Sequence, residues 1–295
     1  MNDWVAIGVP SSAGAHHAGQ DRAPAALRAA GLIDGLRAAG VDISDAGDLP
    51  ATPFAVDHEH PRARSLGAVV KVAGQVADAV AAQLAAGARP LVIGGDCTIT
   101  VGVMAGLRRQ HPDAGLVYVD GDTDLGTPDK DDGSGIMDSM GVAHLLGRGA
   151  PELAGLAGSP LDPRRLALLG GDPRETSDEG RRFLAEAGVR CTEGPAFAAD
   201  PAGTARQAIA GVAAASGPVL VHYDVDVVDS GNLPLGNFPH YGSGVTLEHV
   251  TAALQVLTTN PACRGLVLTE VNPSYDADGS QLRRYTNALV RAIAG

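Results

Sequence analysis

The stretch Pro90-Leu91-Val92-Ile93-Gly94-Gly95-Asp96-Cys97-Thr98 contains an apolar run, then a glycine pair, then polar side chains. The apolar run does not alternate with polar residues, which is typical of strands that are covered on both faces. Further short apolar runs alternate along the chain with longer segments rich in Ala, Leu and Val at helical spacing. This alternation of strands and helices predicts a parallel sheet with helices on both sides.

The predicted strands are Trp4–Val9, Val41–Asp45, Pro90–Gly94, Leu116–Asp120, Leu166–Gly170, Val189–Thr192, Pro218–Asp224 and Leu266–Glu270. The predicted helices are Pro24–Ala39, Arg64–Ala86, Ile99–Gln110, Ser139–Leu146, Asp178–Ala187, Ala202–Ala215, Leu247–Thr258 and Ser280–Ala294. No internal repeat and no shift in composition divides the chain. We therefore expect residues 1–295 to form a single α/β domain.

Composition excludes several classes of protein. The chain has 295 residues, of which 45% are hydrophobic, so it buries a sizeable core and is not disordered. Its net charge of −12 repels phosphate backbones and anionic lipid, and only 3% of the residues are aromatic. We therefore expect neither nucleic acid nor a membrane as a partner.

Location follows from the same composition. Three scattered cysteines form no disulfide framework, which suits a reducing compartment. The first residues lack the basic and apolar regions of a signal peptide, and no apolar run approaches the length that spans a membrane. We expect a cytoplasmic protein.

Acidic side chains follow several of the predicted strands. Alternate carboxylates at a strand end point the same way, because side chains repeat with a period of two along a strand. Carboxylates that pack together repel one another unless cations neutralise them, and oxygen-rich clusters suit Mg²⁺, Mn²⁺ or Ca²⁺. The strand-end segments are Gly94-Gly95-Asp96-Cys97-Thr98, Asp120-Gly121-Asp122-Thr123-Asp124, Asp224-Val225-Asp226 and Glu270-Val271-Asn272-Pro273.

One Asp-x-Asp alone usually forms a solvated turn or caps a helix. Two such clusters, each directly after a strand of the buried type, favour a metal site instead. A free cysteine is more often a small buried apolar residue, but Cys97 follows Gly-Gly-Asp at a strand end. A nucleophilic role for Cys97 lacks a His or Asp partner in the local sequence.

Together these segments resemble the ureohydrolase superfamily of arginases, agmatinases and formiminoglutamases. The resemblance covers nearly the whole chain and begins at Gly19-Gln20-Asp21-Arg22-Ala23-Pro24, followed by Leu27-Arg28 and Gly31-Leu32. It implies an arginase-like three-layer α/β/α sandwich with a central parallel sheet of about eight strands. It also implies a site with two Mn²⁺ ions, bridged by a hydroxide that attacks a guanidinium carbon.

The chain departs from the family pattern at three histidine positions. Gly-Gly-Asp-His-Ser becomes Gly-Gly-Asp-Cys97-Thr, and Asp-Ala-His-x-Asp becomes Asp120-Gly-Asp122-Thr-Asp124. Asp138 takes the place of the histidine in Gly-x-x-His-Gly that shuttles protons. The cysteine resembles that of an actinobacterial subgroup that includes an Nω-hydroxyarginine hydrolase.

The resemblance assigns site residues position by position. One metal takes Cys97, Asp120, Asp124 and Asp224, and the other takes Asp120, Asp122, Asp224 and Asp226. Asp138 is assigned to proton transfer, with an inert polar residue as the alternative. Glu270 is the candidate to bind a guanidinium, since a carboxylate pairs bidentately with that planar group. The remaining histidines, His16, His17, His144, His222 and His240, are mostly expected at the surface or in packing, although the loop that contains His16 and His17 could border the site.

Replacing two imidazoles by a thiolate and a carboxylate adds two negative charges around the metals. We expect a weaker Lewis acid, and one metal that binds weakly or is replaced by another divalent ion such as Zn²⁺. The predicted function is metal-dependent hydrolysis of a C–N bond in an arginine- or Nω-hydroxyarginine-like guanidino compound. The family resemblance also implies a homo-oligomer, a trimer or a hexamer. The alternatives are a hydrolase of another amidine or amide, and an inactive arginase-fold binding or scaffold protein.

Overall fold

The computed structural model describes residues 4–129 and 134–295. Within these residues eight strands form one sheet, and every pairing in it is parallel. The strands are β1 (Trp4–Gly8), β2 (Ile43–Asp48), β3 (Arg89–Ile93), β4 (Gly115–Val119), β5 (Leu166–Leu169), β6 (Arg190–Thr192), β7 (Val219–Asp224) and β8 (Cys263–Thr269). Their order across the sheet is β2-β1-β3-β8-β7-β4-β5-β6.

Helices connect the strands and cover the sheet. They are α1 (Ala23–Ala29), α2 (Leu32–Ala38), α3 (Leu66–Ala85), α4 (Ile99–Arg108), α5 (Gly141–Leu145), α6 (Pro151–Ala154), α7 (Asp178–Ala187), α8 (Gly194–Ala199), α9 (Pro201–Ser216), α10 (Leu247–Thr259) and α11 (Ser280–Ala294). The bounds of α7 and α11 are those that the sequence predicts. The short helices α6 and α8 were not predicted.

The sheet is buried on both faces, which explains its apolar strands. In β4, Val117 and Val119 belong to one core, while Leu116 and Tyr118 belong to the other. The first core packs against α1, α2 and α8–α11, and the second packs against α3–α7. The predicted three-layer α/β/α sandwich with a parallel sheet is confirmed.

One predicted helix is two helices in the structure. The segment Pro24–Ala39 is interrupted after α1, and α2 begins at Leu32. Gly31 lies between them with a φ of +91°, a left-handed conformation that glycine adopts readily and that ends a helix. Gly31 was therefore the residue in the sequence that could have indicated the interruption between α1 and α2.

The expectation about apolar runs also needs correction. By length and composition α3 is long and apolar enough to cross a membrane. Its buried residues belong to the second core, however, so the helix packs against the sheet layer of this fold. These residues are Val69, Val72, Ala73, Val76, Ala77, Val80 and Leu84.

The strand order brings the acidic segments together. The strands β3, β8, β7 and β4 are consecutive neighbours at the centre of the sheet. At the carboxyl ends of these strands lie the segments that begin at Gly94, Glu270, Asp224 and Asp120. Because the strands are parallel, these segments meet at one edge of the sheet, where open α/β sheets bind ligands.

Candidate metal centre and active site

A close contact between two loops brings Cys97 to this edge. A Cβ atom on Gly95 would lie 1.8 Å from the carbonyl oxygen of Ser11, so only glycine permits this approach. Asp96 is fully buried and accepts hydrogen bonds from the Gly14 amide at 3.1 Å and the Ser11 hydroxyl at 3.3 Å. Asp96 therefore holds the loops together and leaves Cys97 on the cavity wall. The Gly-Gly-Asp segment of the sequence does not by itself indicate this role of Asp96.

The thiol of Cys97 is buried among polar groups. It donates a hydrogen bond to Oδ2 of Asp224 at 2.6 Å, and Oγ1 of Thr269 lies 3.5 Å from its Sγ atom. Burial raises the pKa of the Cys97 thiol well above its usual range, and the charge of Asp224 raises it further. Without a cation, Cys97 is a neutral thiol that is hydrogen-bonded to the Asp224 carboxylate.

The three aspartates after β4 line one cavity. The strand itself ends at Val119, so a turn and not the alternation of a strand sets their positions. The Asp122 amide donates to Oδ1 of Asp120 at 2.6 Å. Asp124 has a φ of 47°, and the Tyr118 hydroxyl donates to its Oδ2 at 2.5 Å. Asp120 and Asp124 are buried, whereas Asp122 is partly exposed.

Asp224 and Asp226 lie at the end of β7. A single 3-10 turn over Val225–Val227 follows the strand, and the Asp226 amide donates to Oδ1 of Asp224 at 2.8 Å. Oδ1 of Asp226 accepts a hydrogen bond from the Gly121 amide at 3.2 Å. This bond connects the loop after β7 with the loop after β4.

The structure adds a histidine that the sequence analysis expected at the surface or in packing. His222 is fully buried on β7, two residues before Asp224 and therefore on the same face of the strand. Its Nε2 atom lies 3.5 Å from Oδ2 of Asp120 and 3.9 Å from Sγ of Cys97. Ligand atoms of Cys97, Asp120, His222 and Asp224 all lie within 4.8 Å of one another. The spacing of two residues from Asp224 was the signal that could have identified it.

A second histidine, His240, reaches the other side of the acidic group. It is 2% exposed, and its Nε2 atom lies 3.6 Å from Oδ2 of Asp226. Burial alone would lower the pKa of His240, but Asp226, Glu175 and Asp122 outweigh burial and raise it to about 9. In the metal-free chain, His240 therefore places a positive charge beside the carboxylates at neutral pH. It follows β7 in an irregular loop, where no periodicity marks it in the sequence.

Glu270 is held rigidly after β8. Its φ is 63°, a left-handed conformation that is strained for a residue with a side chain. Oε1 accepts a hydrogen bond from the Cys97 amide at 3.0 Å, and Oε2 accepts one from Nε2 of Gln20 at 2.8 Å. Gln20 is fully buried, so it fixes the carboxylate on the cavity wall. Nothing in the sequence around Gln20 indicates this role.

Asp138 lines the same cavity. Its amide donates to the carbonyl oxygen of Gly14 at 3.1 Å. Burial raises the pKa of Asp138 well above its usual range, and the charge of Asp96 raises it further. A carboxyl that exchanges protons near neutral pH needs a pKa shifted in this direction.

The cavity has a volume of about 430 Å³ and a markedly acidic wall. A neighbouring cavity of about 580 Å³ shares Asp122, Ser139 and Glu175 with it. The first cavity is lined by every site residue that the sequence predicts: Cys97, Asp120, Asp122, Asp124, Asp138, Asp224, Asp226 and Glu270.

These residues fit divalent metal ions. Burial raises the pKa of Asp120, Asp124 and Asp224 well above the usual range, and neighbouring carboxylates raise it further. Oδ2 of Asp120 is buried and has no hydrogen-bond partner among the described residues. A divalent cation relieves both the repulsion and the missing partner. Sulfur, imidazole and carboxylate groups are also the donors that such cations take.

The same geometry bears on Cys97 as a nucleophile. Since His222 lies 3.9 Å from Sγ, the structure does provide a neighbouring imidazole. The thiol proton nevertheless goes to Asp224, and the raised pKa of Cys97 disfavours the thiolate that would attack a substrate. The arrangement favours a ligand over a nucleophile.

The chain is similar to arginases in both sequence and structure. A sequence model described as the arginase family matches residues 2–295. The chain is 31% identical to an arginase of Bacillus caldovelox, over 98% of this chain and 95% of that protein. It is 29% identical to human arginase-1, over 96% of this chain and 89% of that protein. The crystal structure of the Bacillus caldovelox arginase superposes with a TM-score of 0.86 at 27% identity, covering 100% of this chain and 97% of that one.

Proposed function

Because this chain belongs to the arginase family, we propose that it is a ureohydrolase-like enzyme that hydrolyses a C–N bond of a linear guanidino compound. The substrate class is arginine- or Nω-hydroxyarginine-like. One observation carries the proposal: eight carboxyl groups and the thiol of Cys97 line a single cavity at the carboxyl edge of the sheet.

The proposal assigns two divalent metals to this cavity, Mn²⁺ being the ion that the family resemblance implies. Cys97, Asp120, Asp124 and Asp224 would hold one, and Asp120, Asp122, Asp224 and Asp226 the other. When bound, the two ions would activate water for attack on a guanidinium carbon. The unpartnered Oδ2 atom of Asp120 supports its place between the two sites.

Glu270 binds the cationic group of the substrate in this proposal. A carboxylate pairs with a guanidinium through two charge-assisted hydrogen bonds, provided that it is held in place. Hydrogen bonds from Gln20 and from the Cys97 amide hold this carboxylate beside the acidic cluster. The acidic wall also favours a cation over a neutral amide, and the neighbouring 580 Å³ cavity offers room for the rest of the substrate.

Asp138 moves a proton in this proposal. It takes the place of the family histidine that shuttles protons, and it lies on the wall of the cavity. A carboxyl group with a raised pKa is protonated over a wider pH range, so it can donate to a leaving amine.

The wider proposal includes the expectations that follow from the family. We infer that residues 1–295 form one domain, because strands near both ends, β1 and β8, flank β3 in one sheet. We also propose that the enzyme is cytoplasmic, that it acts on a small-molecule substrate and that it forms a homo-oligomer, either a trimer or a hexamer.

A metal analysis combined with a substrate screen tests the proposal. The full chain is loaded in parallel with Mn²⁺, Zn²⁺ or Co²⁺, and arginine, Nω-hydroxyarginine and other guanidino compounds are assayed for release of urea or hydroxyurea. We expect turnover of at least one compound, and loss of turnover with reduced metal content in Asp224→Ala. A folded chain that binds no metal and turns over no compound at any pH would contradict the enzyme proposal. It would favour the binding or scaffold alternative. Turnover only of a non-guanidino amidine or amide would favour the other hydrolase.

A further inference from the structure

We propose that His222 is a ligand of the first metal, which makes that site a four-coordinate centre of Cys97, Asp120, Asp224 and His222. Such a centre takes Zn²⁺ or Co²⁺ in preference to Mn²⁺. The inference rests on the proposed function, since it concerns the metal held there. It replaces Asp124 by an imidazole from a different strand, at a position where the family resemblance assigns no ligand.

The distances from the imidazole fit one small cation, whereas Sγ of Cys97 and Oδ2 of Asp224, which share the thiol proton at 2.6 Å, would have to separate when a metal replaces that proton. Nε2 of His222 lies 3.5 Å from Oδ2 of Asp120 and 3.9 Å from Sγ of Cys97. Ligands at about 2.0 Å for nitrogen and about 2.3 Å for sulfur on a tetrahedral zinc are separated by such distances. Ligand atoms of all four residues lie within 4.8 Å of one another, and all four residues are buried.

The imidazole is oriented as a ligand would be. Nδ1 of His222 lies 2.7 Å from Oγ1 of Thr100, and the ring stacks on Tyr118 with centroids 3.8 Å apart and planes 2° from parallel. Metal-binding histidines characteristically have the second ring nitrogen held by a hydrogen bond. In the tautomer in which Nδ1 carries the proton and donates it to Oγ1 of Thr100, the lone pair of Nε2 points at the acidic group.

Neighbouring groups leave Nε2 and its acidic neighbour free for a metal. The Thr269 hydroxyl lies 3.4 Å from Nε2, but its single proton has a nearer acceptor in Oδ2 of Asp224 at 3.1 Å. Oδ2 of Asp120 is buried without a hydrogen-bond partner among the described residues. This unpartnered oxygen, 3.5 Å from the imidazole, is the second observation that points to a cation between them.

Asp124 has another task in the same region. Its Oδ2 atom accepts the hydrogen bond of the Tyr118 hydroxyl at 2.5 Å. Tyr118 in turn forms the stack with His222. Asp124 therefore acts on the first site through Tyr118, as a positioning residue for the imidazole.

The donor set decides the metal class. Cys97 loses its proton to solvent on binding, so the site offers a thiolate, an imidazole and two carboxylates. Four-coordinate sites with sulfur and nitrogen ligands suit Zn²⁺ and its spectroscopic substitute Co²⁺, while Mn²⁺ prefers oxygen ligands.

Cobalt titration of the metal-free full-length chain, under reducing and anaerobic conditions, tests this assignment. The wild-type chain should show a thiolate-to-cobalt charge-transfer band and the intense visible bands of four-coordinate Co²⁺ at the first equivalent. His222→Gln should keep the charge-transfer band, lose visible intensity and bind the first equivalent at least about tenfold more weakly. Cys97→Ser should lose the charge-transfer band. His249→Gln, at a half-buried position in α10 where glutamine preserves the capping box, should match wild type.

X-ray absorption of the wild-type chain with one equivalent of Zn²⁺ needs no variant. One sulfur and one imidazole at the metal are expected, and both should persist in His240→Gln. An oxygen-only or imidazole-free shell, or a His222→Gln spectrum and affinity equal to wild type, would overturn the inference. Those results leave the proposed function standing, provided that the chain still binds metal and releases urea or hydroxyurea. A chain that binds none of Co²⁺, Zn²⁺ and Mn²⁺ would instead overturn the metal assignment as a whole.

Discussion

Sγ of Cys97 lies 2.6 Å from Oδ2 of Asp224, although the strands at whose ends they lie are not neighbours in the sheet. Cys97 follows β3 and Asp224 ends β7, with β8 between them in the sheet. The thiol proton thus satisfies a carboxylate that would otherwise be left among other negative charges. A divalent cation between the two would displace that proton, so metal binding by this chain is expected to release protons.

Removing the charge of Glu270 should impair substrate recognition. In Glu270→Gln we expect kcat/KM for a guanidino substrate to fall by about 100-fold, because a neutral amide no longer pairs with the cation. Both present partners of the carboxylate, the Gln20 amide and the Cys97 amide, are donors, so the new NH₂ group finds no acceptor there. Steady-state kinetics together with metal analysis measures this effect.

The matched control is Glu186→Gln on the exposed face of α7, which should leave kcat/KM unchanged. Equal kcat/KM values for Glu270→Gln and the wild type would remove Glu270 from substrate binding.

Asp138→Asn should separate proton transfer from binding. Since an amide cannot exchange a proton at this position, we expect kcat to fall by about 10- to 100-fold with KM nearly unchanged. The acidic or basic limb of the pH–rate profile that belongs to Asp138 should also disappear. A variant with wild-type kcat and an unchanged profile would leave Asp138 as an inert polar residue.

The additional negative charge around the metals should shift the pH optimum upward. A cation held by carboxylates alone, as the proposal assigns to the second site, polarises water less strongly than a cation with a neutral imidazole among its ligands. Wild type should therefore have its optimum roughly one pH unit above that of Asp122→His, in which one carboxylate becomes an imidazole. The test is kcat against pH for both metal-loaded proteins. An optimum at equal or lower pH in the wild type would be inconsistent with this electrostatic argument.

Asp122 should also make the metal-free chain sensitive to pH. Burial and the charge of Asp226 raise the pKa of Asp122 to about 6, against 3.8 for the ordinary group. A carboxyl whose pKa is raised by folding stabilises the fold at pH below 3.8, and this contribution is lost as pH rises through about 6. In the presence of a chelator, Asp122→Asn should therefore gain stability relative to wild type between pH 4 and 7.

Because Asp122 is partly exposed, we expect a gain of ~1–2 kcal/mol, less than the full shift would give. Chemical denaturation at a series of pH values provides the measurement. The prediction fails if the difference in unfolding free energy between the two proteins is the same at pH 4 and pH 7.

Most of the fold could be predicted from the sequence, because its central strands are buried on both faces and are therefore mostly apolar. Strands such as β3 and β7 appear as continuous apolar runs, and glycine or acidic residues follow them directly. The order of the strands in the sheet could not be predicted from the sequence, since it depends on the long-range packing of helices. That order, with β8 between β3 and β7, is what places Cys97 beside Asp224.

Site residues that lie directly after strands could be predicted from the sequence. Site residues in loops that fold back to the cavity could not. His222 has the strand spacing to Asp224, yet an isolated histidine in an apolar strand gives no sign of which groups face it. His240 and Gln20 reach the site from irregular segments, so their positions depend on tertiary contacts alone. The break at Gly31 was missed because apolar spacing continued across a residue whose φ is positive.

The most direct test of the account is the release of urea or hydroxyurea by the metal-free chain as divalent metal is added back. If the acidic cavity holds the catalytic metals, there should be no release in chelator, release that rises with added metal, and none at any metal concentration in Asp224→Ala. Turnover that is independent of metal would contradict it. So would a folded, metal-loaded chain that releases neither product from any guanidino compound at any pH.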